Sequence, residues 1–322
     1  MNFYQHRRAL VIGGLGFIGR HVTDRLRAAG AAVTVVTRSL AEHREAAAIV
    51  SAGGVTIVEG DLRSAEAMSA AVRGQDVIFN LAGQSGAVRS MDDPFTDLDV
   101  NVRGNLVLLE ALRAENPRAK LVFVSSRLAY GSGGPDVIAE TRPAEPLCIH
   151  AVHKLAVEQY LHVYRSVYGV RTTTARLTNP YGPGQPSART AYGVVNRLIH
   201  LALSDQALPI YGDGRQRRDY IYIDDAVDAL LILGASAPSD GRIYNVGSGI
   251  GTPLVEMAGA IVKIAGSGRL AFTEWPTIAA QIETGDFVAD IAQIGRELGW
   301  SPRVALADGL QRTLAHYRAR VS

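Results

Sequence analysis

Short apolar runs alternate with amphipathic segments through the first half of the chain. The apolar runs predict six strands, at residues 9–12, 32–36, 55–58, 77–80, 121–124 and 171–177. Apolar positions at helical spacing predict four helices, at residues 21–29, 65–72, 100–113 and 149–168. Strands that are apolar throughout and alternate with helices are typical of a parallel sheet covered on both faces. The pattern predicts a doubly wound α/β fold.

The character of the sequence changes near residue 178. Prolines, glycines and aromatic residues become frequent, and the periodic segments become shorter and less regular. We therefore predict two domains. The doubly wound domain takes residues 1–178, and a smaller mixed α/β lobe takes residues 179–322.

A glycine-rich turn follows the first predicted strand and precedes the first predicted helix. Gly13, Gly16 and Gly19 are spaced three residues apart, and Phe17 and Ile18 complete the motif GGLGFIG. Glycines at such a turn let a pyrophosphate approach the N-terminus of the helix, where free N–H groups favour anions. The motif in this strand–turn–helix setting predicts a nicotinamide dinucleotide site.

The end of the second predicted strand bears on the choice of dinucleotide. NAD sites usually carry an acidic residue there for the adenosine ribose, whereas this chain has Thr37 and Arg38. A guanidinium without a carboxylate suits the 2′-phosphate of NADP, because it pairs with the charge and matches the planar geometry. NADP is therefore slightly favoured over NAD. The alternative is that Arg38 is an ordinary surface arginine, since only three of the 33 lysine and arginine residues are lysines.

Composition and charge exclude several other classes of protein. The formal net charge is only +2, so no strong field attracts nucleic acid or an anionic membrane. The single cysteine, Cys148, excludes an internal disulfide framework, and His150 and His153 have no third ligand nearby for a metal. No apolar run reaches the length of about 18 residues that a membrane span needs. We expect a cytoplasmic protein without a metal site.

Short motifs, each occurring once, follow one another along nearly the whole chain in a recognisable order. They are GGLGFIG (13–19), GDL (60–62), NLAGQS (80–85), NVRGN (101–105), VSSRLAYG (124–131), RLTNPYGPGQ (176–185), YNVGSG (244–249) and LGWSP (298–302). In these motifs the chain resembles the extended short-chain dehydrogenase/reductases, specifically their nucleotide-sugar epimerase/dehydratase family. The resemblance implies a Rossmann domain, a lobe that binds a nucleotide sugar, a return of the chain to the first domain at about residues 221–247, and a homodimer.

The resemblance also assigns binding residues by position. For the dinucleotide it implies Asp61, Leu62, Leu81, Ala82, Gly83, Asn101 and Lys154. For the nucleotide sugar it implies Gln84, Ser85, Ser126, Asn179, Tyr211, Arg218 and Asp286, with Arg89 and Tyr192 as further pocket residues. Three residues before Asp286 the family often has a second arginine for the diphosphate. This chain has Glu283 there, so either the ligand lies differently or another arginine, such as Arg269, replaces it.

The catalytic motif departs from the family pattern. Family members use Tyr-x-x-x-Lys on one helix, whose spacing puts both side chains on one face, together with a serine or threonine. Here the corresponding residues are Ser126, His150 and Lys154. Three alternatives are open: His150 replaces the tyrosine as acid/base, the proton moves through Ser126, His153 or a tyrosine of the second lobe, or catalysis is lost. Retention of Lys154 and Ser126 argues against the last.

The predicted function follows from these residues and the resemblance. We expect a nucleotide-sugar 4-epimerase that moves hydride between the sugar C4 and a nicotinamide cofactor through an atypical Ser-His-Lys site. The alternatives are an NADPH-dependent 4-ketosugar reductase and a non-catalytic protein that binds cofactor or nucleotide sugar. The 4,6-dehydration of a nucleotide sugar is not expected, because Arg127 and Leu128 stand where the dehydratases of the family carry an acidic pair.

Overall fold

The computed structural model describes residues 2–185 and 193–321. Its strands are β1 (Arg8–Ile12), β2 (Ala32–Thr37), β3 (Thr56–Glu59), β4 (Val77–Asn80), β5 (Lys120–Ser126), β6 (Arg171–Leu177), β7 (Asn179–Tyr181), β8 (Ala207–Tyr211), β9 (Arg217–Tyr222), β10 (Ile243–Val246), β11 (Gly251–Pro253) and β12 (Arg269–Thr273). Seven of them form one sheet in the order β10-β6-β5-β4-β1-β2-β3. Every pairing in this sheet is parallel. The predicted doubly wound α/β class is confirmed.

Helices connect and cover these strands. They are α1 (Phe17–Ala28), α2 (Arg44–Ala52), α3 (Ala65–Val72), α4 (Ala87–Asp92), α5 (Pro94–Leu98), α6 (Gly104–Glu115), α7 (Ile149–Tyr168), α8 (Val194–Leu203), α9 (Ile223–Ala235), α10 (Leu254–Ala265), α11 (Thr277–Gln281), α12 (Ala292–Leu298) and α13 (Leu306–Val321). A π-helical turn, Asp99–Arg103, joins α5 to α6. None of the helices in the described parts of the chain is long and apolar enough to cross a membrane.

The two faces of the main sheet carry separate cores. Along β1, Ala9 and Val11 pack on the side of α1 and α9, whereas Leu10 and Ile12 pack on the side of α3, α6 and α7. This alternation follows from the pleat, which turns successive side chains to opposite faces. Both faces are covered, so the strands are apolar throughout, as the sequence pattern indicates.

The observed elements differ from the predicted ones in a few places. The bounds of β4, β6, α3 and α7 agree with the prediction, whereas α2 was not predicted. Predicted helix 100–113 is in fact a π-helical turn followed by α6. Two smaller sheets, with the orders β11-β9-β7 and β12-β8, lie outside the main sheet, although β10 returns to its edge. The domain limits at residues 178 and 221–247 stay a prediction.

Candidate active site

Most predicted site residues come directly after the strands of the main sheet. The glycine turn follows β1, Arg38 follows β2, Asp61 follows β3 and Gly83 follows β4. The carboxyl ends of parallel strands meet at one edge of a sheet. Strand order reverses between β1 and β4, and such a switch point opens a crevice for ligands. The topology therefore brings these residues to one edge.

The glycine turn has no room for side chains. Gly13 has φ +79°, and a Cβ atom there would lie 2.9 Å from the backbone nitrogen of Ala82. A Cβ atom at Gly19 would lie 2.1 Å from the carbonyl oxygen of Gly13. Gly16 precedes α1 and supplies no side-chain cap, so the first N–H groups of α1 remain available to an anion. The geometry fits the pyrophosphate of a dinucleotide.

The residues after β2 and β3 carry charge at the same edge. Thr37 is buried, whereas Arg38 is exposed and has no carboxylate partner within the described residues. Asp61 accepts hydrogen bonds from the side chain of Arg63 at 2.7 and 3.0 Å. These bonds, together with the charges of Arg63 and Arg38, hold the pKa of Asp61 below its usual range. Leu62 is buried against Gly104.

Lys154 lies beside two other predicted cofactor residues. A Cβ atom at Gly83 would lie 2.7 Å from Oδ1 of Asn101 and 3.7 Å from Nζ of Lys154. The ammonium donates to the carbonyl oxygen of Val124 at 3.0 Å and stands 4.9 Å from the ring centre of Phe123. Burial lowers the pKa of Lys154 to about 8. The lysine is therefore held in place and still largely charged at neutral pH.

The imidazole of His150 is buried next to this group. Its backbone N–H donates to Oγ of Ser90 at 2.9 Å, which orients the first turn of α7. Nδ1 lies 3.4 Å from Nδ2 of Asn101 and 3.4 Å from Oδ2 of Asp97. Burial lowers the pKa of His150, the charge of Lys154 adds to that effect, and Asp97 opposes it. The ring is therefore mostly neutral at pH 7.

Asp97 is a site residue that sequence analysis missed. It lies on α5 and is 0 % exposed. Its Oδ1 is 2.7 Å from Nδ1 of His153, one turn along α7 from His150. Nothing in the local sequence distinguishes Asp97 from the neighbouring acids Asp93 and Asp99. Among residues 2–185 and 193–321, no group of three or more His, Cys, Asp or Glu side chains is arranged to hold a metal ion.

Ser126 ends β5, and α7 packs against this strand and the turn after it. Oγ of Ser126 accepts a hydrogen bond from the N–H of Leu128 at 3.2 Å. This bond leaves the hydroxyl hydrogen of Ser126 available to another acceptor. The next residue, Arg127, is buried and donates to Oγ1 of Thr284 at 2.9 Å. Burial and the charge of Arg218 lower the pKa of Arg127 to about 10. Arg127 therefore adds a second cation close to Arg218.

Gln84 faces the same crevice with an unused donor. Its backbone N–H and C=O bind the side-chain amide of Asn101 at 3.1 and 2.9 Å. Its own Nε2 is buried and has no hydrogen-bond partner within the described residues. A buried donor without a partner is costly, so a ligand acceptor is expected there. Ser85 follows Gln84 directly, and Tyr192 lies outside the described residues.

The remaining predicted substrate residues are engaged with protein partners. Asn179 donates from Nδ2 to the carbonyl oxygen of Asp219 at 2.8 Å. Arg218 donates to the carboxylate of Glu283. Asp286 accepts hydrogen bonds from the backbone N–H of Arg217 at 2.7 Å and from its Nε at 2.8 Å. Burial alone would raise the pKa of Asp286, but these bonds and the charge of Arg217 hold it below its usual range.

Two aromatic residues and one arginine lie on or beside the two-stranded sheet β12-β8. The rings of Tyr211 and Trp275 are 5.3 Å apart at a tilt of 41°. Arg269 pairs with Ala207 at the start of β12, whereas Tyr211 pairs with Thr273 at its other end. Arg269 is thus at the opposite end of the two-stranded sheet from Tyr211, whereas Arg127 comes close to Arg218.

A parallel sheet with a glycine turn at its switch point, and a helix that brings a lysine to the same edge, are features of the extended short-chain dehydrogenase/reductase class of enzymes. A profile of the NAD dependent epimerase/dehydratase family matches residues 9–247. The chain belongs to this family.

Individual relatives agree with the assignment. UDP-glucose 4-epimerase of Mycolicibacterium smegmatis is 33 % identical over 318 residues, which cover 97 % of this chain and 98 % of that protein. The structure of the Thermus thermophilus UDP-glucose 4-epimerase in complex with NAD is 32 % identical, with a TM-score of 0.86 and coverage of 97 % and 99 %. That of the Thermotoga maritima UDP-glucose 4-epimerase with UDP-glucose is 29 % identical, with a TM-score of 0.89 and coverage of 98 % and 100 %.

Proposed function

We propose that this protein is a nucleotide-sugar 4-epimerase in which histidine replaces the usual acid/base. The observation that carries the proposal is the grouping of Lys154 and Asn101 around Gly83, with His150 beside Asn101, at the edge of the sheet where Ser126 also lies. A decayed site would have no reason to keep a half-buried lysine and a buried histidine in hydrogen-bonded positions.

The chain's own residues would hold a nicotinamide dinucleotide at this edge. The glycine turn and the N-terminus of α1 bind the pyrophosphate. Lys154 and Asn101 bind the ribose on the nicotinamide side. When bound, the dinucleotide accepts hydride from C4 of the sugar and returns it.

Ser126 and His150 serve the oxygen on C4. Ser126 donates its hydroxyl hydrogen to that oxygen, and His150 accepts the proton of the substrate hydroxyl. Rotation of the resulting 4-keto sugar presents its other face, and His150 then returns the proton as the carbonyl is reduced. A positioned acid/base of this kind contributes about 10²- to 10⁴-fold to a rate.

The side chains next to Ser126 disfavour dehydration. Elimination of the C6 hydroxyl needs an acid to protonate the leaving group. Arg127 has a pKa of about 10 and binds Thr284, and Leu128 has no ionisable group. Neither residue supplies that acid.

A direct assay separates the candidate activities. Purified protein is incubated with UDP- and dTDP-hexoses, and the products are resolved by chromatography and NMR. Interconversion of C4 epimers without added cofactor supports the epimerase. The absence of interconversion with any of these sugars, despite binding of the dinucleotide, would support a binding protein instead.

One observation favours a second candidate, an NADPH-dependent 4-ketosugar reductase. Arg38 is exposed at the end of β2 without a carboxylate partner within the described residues, which suits a 2′-phosphate. Consumption of NADPH with a 4-keto nucleotide sugar would support it. Release of NAD from the denatured protein would support the epimerase, because a self-recycling enzyme retains its cofactor.

A second copy of this chain is the proposed partner. Phe95 and Leu98 of α5 are exposed, as are Val152 and Val163 of α7, which packs against α5. Exposed apolar side chains grouped on neighbouring helices are typical of an interface between subunits.

A further inference from the structure

A single buried carboxylate, that of Asp97, faces two histidines of α7, His150 and His153. Oδ1 of Asp97 lies 2.7 Å from Nδ1 of His153, and Oδ2 lies 3.4 Å from Nδ1 of His150. Burial alone would raise the pKa of Asp97, but hydrogen bonds from His150, Asn101 and His153 outweigh it and lower the pKa to about 2. The carboxylate is therefore ionised at neutral pH.

An ionised carboxylate selects the tautomer of each imidazole. Both of its oxygens only accept hydrogen bonds, so the Nδ1 atom that faces each oxygen carries the hydrogen. The amide nitrogen of Asn101 also lies 3.4 Å from Nδ1 of His150, but its two hydrogens go to the carbonyl oxygen of Gln84 at 2.9 Å and to the carboxylate of Asp97. The neutral form of His150 therefore has its lone pair on Nε2.

We infer that Asp97 is a positioning residue that orients His150 and keeps its Nε2 atom as the proton acceptor. The inference rests on the proposed function, in which His150 takes the proton from the C4 hydroxyl. In that step the substrate O–H bond breaks, a new N–H bond forms at Nε2, and the Nδ1 hydrogen stays in place. The neighbouring carboxylate stabilises the imidazolium that results, as in other carboxylate–histidine pairs.

His153 holds the carboxylate in this orientation from its other side. The bond from His153 occupies Oδ1, so Oδ2 remains directed at His150. The charged groups that face His150 are Asp97, Lys154 and His153. Only Asp97 raises the pKa of His150, whereas the other two lower it. Loss of the Asp97 charge therefore lowers the pKa of His150 further.

The tautomer can be tested without any assay of turnover. Protein labelled with ¹⁵N-histidine is titrated by NMR, and the His150 signals are assigned from their loss in His150→Phe. We expect the Nδ1–H tautomer in the wild type and a lower His150 pKa in Asp97→Asn. Asp93→Asn is the matched control, because Asp93 caps the N-terminus of the same helix and asparagine also caps well. An Nε2–H tautomer in the wild type would overturn the inference, whether or not Asp97→Asn folds.

Kinetics give the second test. Asp97→Asn should lower kcat by about 10-fold or more, while KM changes by about twofold or less, because the residue acts on the acid/base rather than on binding. In a His150→Phe background the same substitution should cause no further loss. An equal loss in both backgrounds would mean that Asp97 acts only on the fold. A wild type without turnover would contradict the proposed function, whereas the NMR result would still decide the role of Asp97.

Discussion

The guanidinium of Arg218 is paired with the carboxylate of Glu283, to which its Nη2 atom donates. A second cation, Arg127, lies close to Arg218. Burial lowers the pKa of Arg127, and the charge of Arg218 lowers it further. The hydroxyl of Tyr220 is buried near both guanidinium groups and has no hydrogen-bond partner within the described residues. An anionic ligand that binds these groups must therefore compete with Glu283 for Arg218.

Removal of the competing carboxylate should strengthen substrate binding. Glu283→Gln is expected to lower KM for the nucleotide sugar by about three- to tenfold, since a partly buried ion pair is worth on the order of 1 kcal/mol. Arg218→Gln should raise KM instead, because the diphosphate loses a charge-assisted hydrogen bond. Steady-state kinetics with both variants measure the effect. An unchanged KM in both would show that the diphosphate binds elsewhere.

Activity should depend on pH through His150 and Lys154. The first step needs neutral His150, so kcat falls as pH drops through its pKa, which lies below the ordinary value of about 6.5. The ammonium of Lys154 is lost above a pH of about 8, which weakens its hold on the ribose. In Lys154→Arg the upper limb should disappear, because a guanidinium stays charged. An upper limb that persists unchanged would have to come from another group.

The choice between NAD and NADP should depend on Arg38. Arg38→Ala is expected to weaken NADPH binding by about 10- to 100-fold, the effect of one charge-assisted hydrogen bond, and to leave NADH binding unchanged. Fluorescence titration of the reduced dinucleotides gives both dissociation constants. Arg73→Ala is a control, because this exposed arginine pairs with Glu115 instead. Equal effects on NADH and NADPH would contradict a role for Arg38 with the 2′-phosphate.

A tyrosine introduced at position 150 should support more activity when the carboxylate of Asp97 is also removed. A carboxylate beside a phenol raises its pKa and disfavours the phenolate, whereas it stabilises an imidazolium. His150→Tyr alone is therefore expected to be at least about 10-fold less active than the wild type, and His150→Tyr with Asp97→Asn should recover part of that loss. Initial rates of epimerisation measure both. A single variant that is more active than the double variant would show that the carboxylate does not determine the residue type here.

The oligomeric state should depend on α5. Phe95 is 79 % exposed in the single chain, and Phe95→Glu should convert a dimer to a monomer because it places charge in an apolar interface. Light scattering with size-exclusion chromatography measures the mass. Phe272→Glu is the matched control, since Phe272 is 59 % exposed on β12, away from α5 and α7. A wild type that is already monomeric would contradict the proposed partner.

Several elements could be predicted from the sequence because local periodicity specifies them. The bounds of β6 and α7 agree with the hydrophobic pattern, and α7 places His150 and Lys154 one turn apart. The helix α2 was missed, although its alanines favour a helix and its apolar residues lie on one face. The roles of Ser126, His150 and Lys154 stay predictions until activity is measured.

The sequence by itself determined the doubly wound sheet, the glycine turn and the family, because each depends on local patterns and on their order along the chain. Only the tertiary structure decided which side chains meet across segments. Asp97 faces His150 from 53 positions away, and Arg127 reaches Thr284 from 157 positions away. Such contacts depend on how α5 packs on α7 and how the segment around Thr284 meets the end of β5. No local pattern of hydrophobic and polar residues encodes that packing, so a buried carboxylate looks the same in the sequence as an exposed one.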